Sequence, residues 1–441
     1  MTVKMTKRLL FILVFVLFSG YTAVMGYGQD TPRQPALIED RASQQSQGTQ
    51  DNAQGQTLST EDMRKALFEY ILHNDDPMAI RRLHQLIMTI YEIQGHYVDS
   101  KNTTEILDLA IQGMMRNLDP NNGIYIGPKT DKADKVVPMP EDSFYGLGIS
   151  FALVNGKFFI IRVYDNSPAS EVGIKTGDIL HTVNGQSVDG LSAIEVSKLI
   201  KSHDDSKVVI GITDSNGKHE RELTLTLRNV DNAPIEYKDL PGDIAYIRLY
   251  VFSKSTDKYF VEALKKSSGK KALIIDLRDN PGGYMGSVVN VLGRMLGPNN
   301  VALVAVGKNG VAEPIPTEGE KSVYPNKLVV LTNLNSASAS EIMAGDLQSL
   351  GQAKVIGIRT HGKNTIQTDI GLGQSNTYGD EVVGIHLTIG RYFLPGGQDV
   401  AKDGITPDIK IDQLCDFKPY EYLTKRDAQF NRALKFIRTG R

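Results

Sequence analysis

Three residues with the makings of an acyl-transfer site lie close together in the chain: Ser338, Lys363 and Gln367. Ser338 is the middle serine of the hexapeptide SASASE (Ser336 to Glu341), which follows the apolar run KLVVLTN and leads into the helix-like EIMAGDLQSL. Strand, turn and helix in that order can present a serine as a nucleophile. Lys363 follows 25 residues later in the segment HGKNTIQ, with Gln367 four residues beyond it. That company suggests a serine–lysine pair in place of serine–histidine–aspartate. Ala337 and Ala339 leave room for a substrate chain, and a helix N-terminus favours a developing anion, so the Ala339 amide is a natural oxyanion donor. Ser336 and Ser340 remain rivals for the nucleophile, and Ser340 serves equally well as a helix N-cap.

Lys363 can accept a proton only when neutral. A free lysine titrates at about 10.4, and bringing it toward 7 or 8 costs roughly 3 to 4 kcal/mol, which burial among apolar groups must supply. Gln367 can steady the amine through its carbonyl without adding charge, whereas a carboxylate there would raise the lysine pKa. A lone lysine in a glycine-bearing loop is ordinarily a solvated charge, so this reading depends on its neighbours. A second oxyanion amide has to come from another turn. LIIDLRDNPGG (Leu273 to Gly283) ends an apolar strand in Asn280, Pro281, Gly282 and Gly283, whose amides are unobstructed. Losing one such donor typically costs about 3 kcal/mol of transition-state stabilisation. Asp276 and Arg278 alongside are expected to pair within the fold.

The elements that position these residues can be read outward from them. At 441 residues the chain exceeds the usual reach of one core, which predicts two or three domains. The 49 Lys and Arg residues balance 51 Asp and Glu, which removes the electrostatic case for nucleic acid or an anionic surface as the main partner. Cys415 is the one cysteine, so no internal disulfide forms, and the histidines lack paired ligand spacing; no metal or cofactor is expected. Lys4, Lys7 and Arg8 before LLFILVFVLF, with small residues after it, predict an export signal over residues 1–28, an uncleaved membrane anchor being the alternative. Residues 29–59, rich in Gln, Ser, Asp and Gly, read as a disordered linker. Apolar spacings of three and four predict amphipathic helices within residues 60–137, broken at Pro77 and again around Gly95 to Asn102. These helices read as a cap or a dimer surface. From Pro234 to Asp412 strands and helices alternate, which predicts an α/β core over 231–413 with much of its sheet parallel, followed by a C-terminal helical extension over 414–441.

Residues 138–230 differ in texture, with short β-rich runs (FFIIRV, VVIGIT, ELTLTL), and they resemble a PDZ domain. The match lies in YGLGI at Tyr145 to Ile149, DNSPASEVGIKTGDILHTVNG at Asp165 to Gly185, and the helix-like SAIEVSKLI at Ser192 to Ile200. The resemblance implies that a substrate's C-terminus adds as a strand, its carboxylate meeting amides of the loop Tyr145, Gly146, Leu147 and Gly148.

Taken together, SASASE, LIIDLRDNPGG, HGKNTIQ and the late HLTIGRYFLPGGQDVAKDGITPDI resemble the carboxyl-terminal processing, or tail-specific, protease family of S41 type. YVDS and LDPNNGIYIGP resemble its helical N-terminal part, so the likeness runs from about Glu61 to Asp412. It implies Ser338 as nucleophile, Lys363 as general base, Gln367 as the residue orienting it, and oxyanion amides on Ala339 and on Gly282 or Gly283. It also implies a multidomain α/β protein: a helical N-terminal segment, a PDZ domain that binds or gates substrate C-termini, and a crotonase-like or ClpP-like core. The partners are protein or peptide substrates of a bacterial periplasm or cell envelope; an adaptor protein and self-association through the N-terminal helices stay open. Two departures stand out. The family usually reads FGKG where this chain has His361, Gly362, Lys363 and Asn364, and PHS where it has Pro120, Asn121 and Asn122. A Ser-His-Asp hydrolase using His361 or His386 with Asp369 is a rival enzyme, although no GxSxG elbow is present. An inactive PDZ scaffold that only captures C-termini is the rival from another class.

Overall fold

The computed structural model describes residues 65, 69, 76–119, 123–126, 143–201, 207–373 and 383–440. The expected export signal, the linker and the departure at Pro120 to Asn122 lie outside the described residues. No helix among the described residues is long and apolar enough to cross a membrane.

Of the helical N-terminal part, two helices are described; the predicted segment before Pro77 lies, but for Lys65, Glu69 and Asp76, outside the described residues. Helix α1 (Pro77–His96) starts at Asp76, whose side chain accepts from the Met78 amide, and has proline in its first turn, where the missing N–H costs nothing. Helix α2 (Thr103–Leu118) opens on a capping box between Asn102 and Glu105. Strand β1 (Ile124–Ile126) follows.

The next unit is β-rich: β2 (Ser143–Gly146), β3 (Ile149–Val154), β4 (Lys157–Val163), α3 (Pro168–Glu171), β5 (Ile179–Val183), β6 (Gln186–Ser187), α4 (Ala193–Lys201), β7 (Lys207–Thr213), β8 (Arg221–Thr226) and β9 (Arg228–Asp231). Its main sheet runs β3-β4-β5-β7-β8, leaving β3 at an edge, and β2 pairs with β9. Phe158, Ile160, Ile210 and Ile212 from the strands and Val196 and Ile200 from α4 fill its core.

The third unit contains β10 (Ile235–Leu240), β11 (Ile244–Leu249), α5 (Thr256–Ser267), β12 (Ala272–Asp276), α6 (Met285–Leu296), β13 (Val301–Gly307), β14 (Ala312–Pro316), β15 (Leu328–Thr332), α7 (Ala339–Ser349), β16 (Ala353–Gly357), β17 (Thr365–Gly373), β18 (Val383–Phe393), α8 (Val400–Asp403), β19 (Ile409–Lys410) and α9 (Ala428–Thr439). One sheet runs β10-β11-β12-β15-β16-β19 and is parallel from β11 onward. Strands β12 and β15 read as unbroken apolar runs because both faces are covered. The larger core lies against α5, α6 and α7, and Phe430, Ala433 and Ile437 of α9 pack on the opposite face.

The alternation of strands and helices therefore holds for this sheet, while VALVAVG and HLTIGRYFLP leave it. As β13 and β18 they join β1, β14 and β17 in a second, antiparallel sheet. Long-range pairing decides that membership, and local pattern does not encode it. Through β1 the N-terminal helices are fastened to β18, with Ile124 opposite His386.

Candidate active site

Neighbouring parallel strands deliver the parts of the site to one edge of the sheet. Strand β12 leads into the Asn280–Gly283 turn, β15 into the SASASE elbow, and β16 into the loop carrying Lys363. Ligand sites in open α/β sheets gather at such carboxyl ends.

The elbow holds Ser338 at φ 56° and ψ −116°, a conformation costly for any residue with a side chain. Buried polar bonds keep it there. Ser336 Oγ donates to the Leu277 carbonyl at 2.8 Å, and Ser340 Oγ to the Asn280 carbonyl at 2.9 Å. The Ala337 amide also donates to Asn280 O, at 3.1 Å. Both rival serines are thus buried and committed to main-chain carbonyls. No carbonyl among the described residues takes the Ser338 hydroxyl, and Ser338 is half-buried.

The glycine turn presses directly on this elbow. A Cβ built on Gly282 would lie 2.7 Å from Ala337 O and 2.8 Å from Ser338 Cβ, so only glycine fits. The Gly282 amide is occupied by Asn280 Oδ1 at 2.9 Å. The amides of Gly283 and Ala339 make no hydrogen bond among the described residues. Of the expected oxyanion donors, those two remain available.

One carboxylate joins the Ser338 elbow to the Lys363 loop. Glu341, fully buried at the third position of α7, accepts from the amides of Ser338 and Lys363 on Oε2, each at 2.8 Å. Its Oε1 accepts from the Gly362 amide at 2.7 Å and the Thr360 hydroxyl at 2.6 Å. Tyr392 makes a second bridge, its hydroxyl 2.6 Å from Lys363 O and 3.2 Å from Ser338 O. Burial, followed by the charges of Glu341, Asp346 and Asp399, pushes the Tyr392 pKa well up, so it stays a donor.

Lys363 itself is part-buried, and its amine forms no hydrogen bond or ion pair among the described residues. Burial pulls its pKa below the ordinary lysine value, against the opposing charges of Asp119 and Glu341. Asp119, at the end of α2, accepts from the Thr388 hydroxyl on β18. Gln367 sits at a bulge in the β17–β18 pairing; its Nε2 donates to Thr365 Oγ1 at 2.6 Å and reaches Thr388 Oγ1 at 3.5 Å. No hydrogen bond joins Gln367 to Lys363 among the described residues.

The rival histidine pair also forms. His386 Nδ1 lies 2.7 Å from Asp369 Oδ1 across β17 and β18, with 73% of the Asp369 side chain exposed. No hydrogen bond connects it, or the His361 ring, to Ser338. Among the described residues no cluster of His, Cys, Asp and Glu could hold a metal ion.

In the β-rich unit, Tyr145 is 53% exposed while Leu147 is 2% exposed and belongs to the core. Gly146 closes β2, and Gly148 has φ 78°, with Ser167 where a Cβ would stand. The Leu147 and Gly148 amides make no hydrogen bond among the described residues, so the loop offers backbone donors beside the free edge of β3.

Sequence reasoning missed Glu341, Tyr392 and Asp119. For Glu341 a signal existed: serine followed three residues later by glutamate marks a helix start. Tyr392 and Asp119 reach the site through strand pairing, which leaves no local mark.

Comparison with known proteins identifies the β-rich and the α/β units. Residues 243–411 match peptidase family S41, and residues 159–213 match the PDZ domain. The carboxy-terminal processing protease CtpB of Bacillus subtilis is 30% identical over 73% of this chain and 66% of its own length. The carboxyl-terminal-processing protease of Synechocystis is 30% identical over 75% of this chain and 77% of its own. A solved structure assigned to the S41 proteases, from Bacteroides fragilis, is 15% identical with a TM-score of 0.50, covering 69% of this chain and 85% of that one, and so supports the fold. With a PDZ domain inserted ahead of an S41 peptidase core, the chain belongs to the carboxy-terminal processing protease family.

Proposed function

We propose that the chain is an exported serine endopeptidase that cuts envelope proteins near their C-termini. Ser338 attacks the scissile carbonyl and passes its proton to the neutral Lys363 amine. Gly283 and Ala339 donate to the developing oxyanion, where preorganised amides act most strongly. The lysine then protonates the leaving amine, and water, giving its proton to the same base, releases the acyl chain. Gln367 steadies the amine once the β17–β18 side closes toward it. The PDZ domain receives the substrate's terminal carboxylate on the Tyr145–Gly148 loop, and the substrate chain extends the sheet at β3. The observation that carries this reading is the Glu341 carboxylate, which fastens the amides of Ser338 and Lys363 to a single oxygen.

Ser338→Ala and Lys363→Ala should each lower kcat by at least about a thousandfold on a fluorogenic peptide, as expected when one member of a catalytic unit is removed. Amidating the peptide's C-terminus should weaken cleavage several-fold. Full turnover by Lys363→Ala would end the serine–lysine assignment, and indifference to amidation would end the PDZ one.

A further inference from the structure

Beyond the residues that match the S41 family, the chain returns to the site. Tyr420 stacks on Phe159 of β4, ring centroids 4.5 Å apart and planes 17° apart, and Phe159 is 8% exposed. Phe159 stands opposite Ala152 of the edge strand β3. Two residues after Tyr420, the Tyr422 hydroxyl donates to Asp279 Oδ2 at 2.6 Å. The guanidinium groups of Arg278 and Arg248 lie 4.3 and 4.1 Å from the Tyr422 ring centroid. Asp427 then takes the two terminal nitrogens of Arg278 at 2.7 and 2.9 Å, all within the fully buried Asp276–Arg278–Asp427 group.

Asp279 is the residue immediately before the Asn280–Gly283 turn. It also accepts from Asn333 and Asn335 at 2.8 and 3.0 Å, in the loop that leads into the serine elbow. Arg426 pairs with both Asp416 and Glu421, which ties the segment to itself. A short, braced stretch of chain therefore holds the PDZ sheet at one end and both halves of the oxyanion site at the other.

We propose that residues 420–427 form a strap that carries the peptide-binding state of the PDZ domain to the Asn280–Gly283 turn, with Tyr420 its anchor and Tyr422 the residue positioning the turn. The proposal rests on reading that turn as part of the oxyanion site. A strand added at β3 bears on β4 and hence on Phe159, and the strap is a contiguous packed route from there. Because Asp279 is held jointly by Tyr422 and the two asparagines, a small displacement of Tyr422 re-aims the amides that follow it.

The test uses the full chain carrying Ser338→Ala and an octapeptide ending in three alanines with a free carboxylate. Hydrogen exchange over residues 277–284 should change when the peptide saturates the protein. Adding Tyr420→Ala should abolish that change while peptide affinity, read by fluorescence anisotropy, stays within threefold. In the active chain Tyr422→Phe, which keeps the ring and removes the hydroxyl, should lower kcat about fivefold at unchanged KM. An exchange response that is absent in the parent, or that survives Tyr420→Ala, overturns the strap, as does wild-type kcat in Tyr422→Phe. An intact exchange response in a chain that proves unable to hydrolyse peptides leaves the strap standing and overturns the protease mechanism instead.

Discussion

The two halves of the site are held in different ways. On the nucleophile side, two buried serine hydroxyls, an asparagine side chain and a glycine without room for a methyl group fix the elbow and the turn. On the base side, the backbone of Lys363 is fixed but its amine is not, and Gln367 turns toward threonines. Strain such as that at Ser338 persists only where its surroundings over-determine it, so the first half is rigid by construction. The base half depends on burial and on opposing charges, which small movements alter. In the proposed mechanism, preorganisation is thus concentrated where the oxyanion would form, and adjustment where the proton would go.

Glu341 links the two halves, and outside Ser338 and Lys363 themselves, breaking that link should have the largest effect. Glu341→Gln preserves shape but turns an NH2 toward either the Ser338 and Lys363 amides or the Thr360 and Gly362 donors. Donor then faces donor in a buried site, a loss of roughly 3 to 5 kcal/mol by analogy with broken buried charge pairs. We expect a stability loss of that order in urea titrations and a fall in kcat of at least about a hundredfold. Wild-type kcat in a stable variant would mean that the halves are aligned without this carboxylate.

Local pattern made the nucleophile half easier to read than the base half. Ser338, Ala339 and the NPGG turn follow short apolar runs that read as buried strands, and adjacent parallel strands place their ends side by side. Local pattern by itself leaves Ser336, Ser338 and Ser340 open, because the choice depends on which hydroxyls meet the carbonyls of Leu277 and Asn280, residues far away in the chain. The same holds for Gln367, whose partner Thr388 comes from another strand, and for Asp119, brought in by the pairing of β1 with β18. The second sheet went unread for this reason too: β13 and β18 have the composition of central strands, and only their partners distinguish them.

The base half can be tested by its charge balance. Burial lowers the Lys363 pKa, while Asp119 and Glu341 raise it. The proposed mechanism requires the neutral amine, so kcat/KM should rise with pH through the Lys363 pKa, which lies below the ordinary lysine value. Asp119→Asn removes one of the raising charges, so the ascending limb should move to lower pH, with greater activity on its acid side and an unchanged plateau. A limb that stays in place or moves to higher pH would show that Asp119 does not act on the base through its charge.

The smallest effect is expected at the histidine pair. His386 and Asp369 stand in the relation a catalytic diad requires, 2.7 Å apart, yet Asp369 lies on an exposed stretch of β17. A base must reach the hydroxyl it deprotonates, and a carboxylate partner 73% exposed is screened by water and adds little to it. His386→Ala should therefore leave kcat within about twofold and reduce stability by no more than ~1 kcal/mol, the range of an exposed ion pair. Loss of turnover in His386→Ala, with Lys363→Ala still active, would reverse the comparison and make the hairpin pair the proton acceptor. The two variants measured side by side on one fluorogenic peptide decide it, because the base must fail in one and survive in the other.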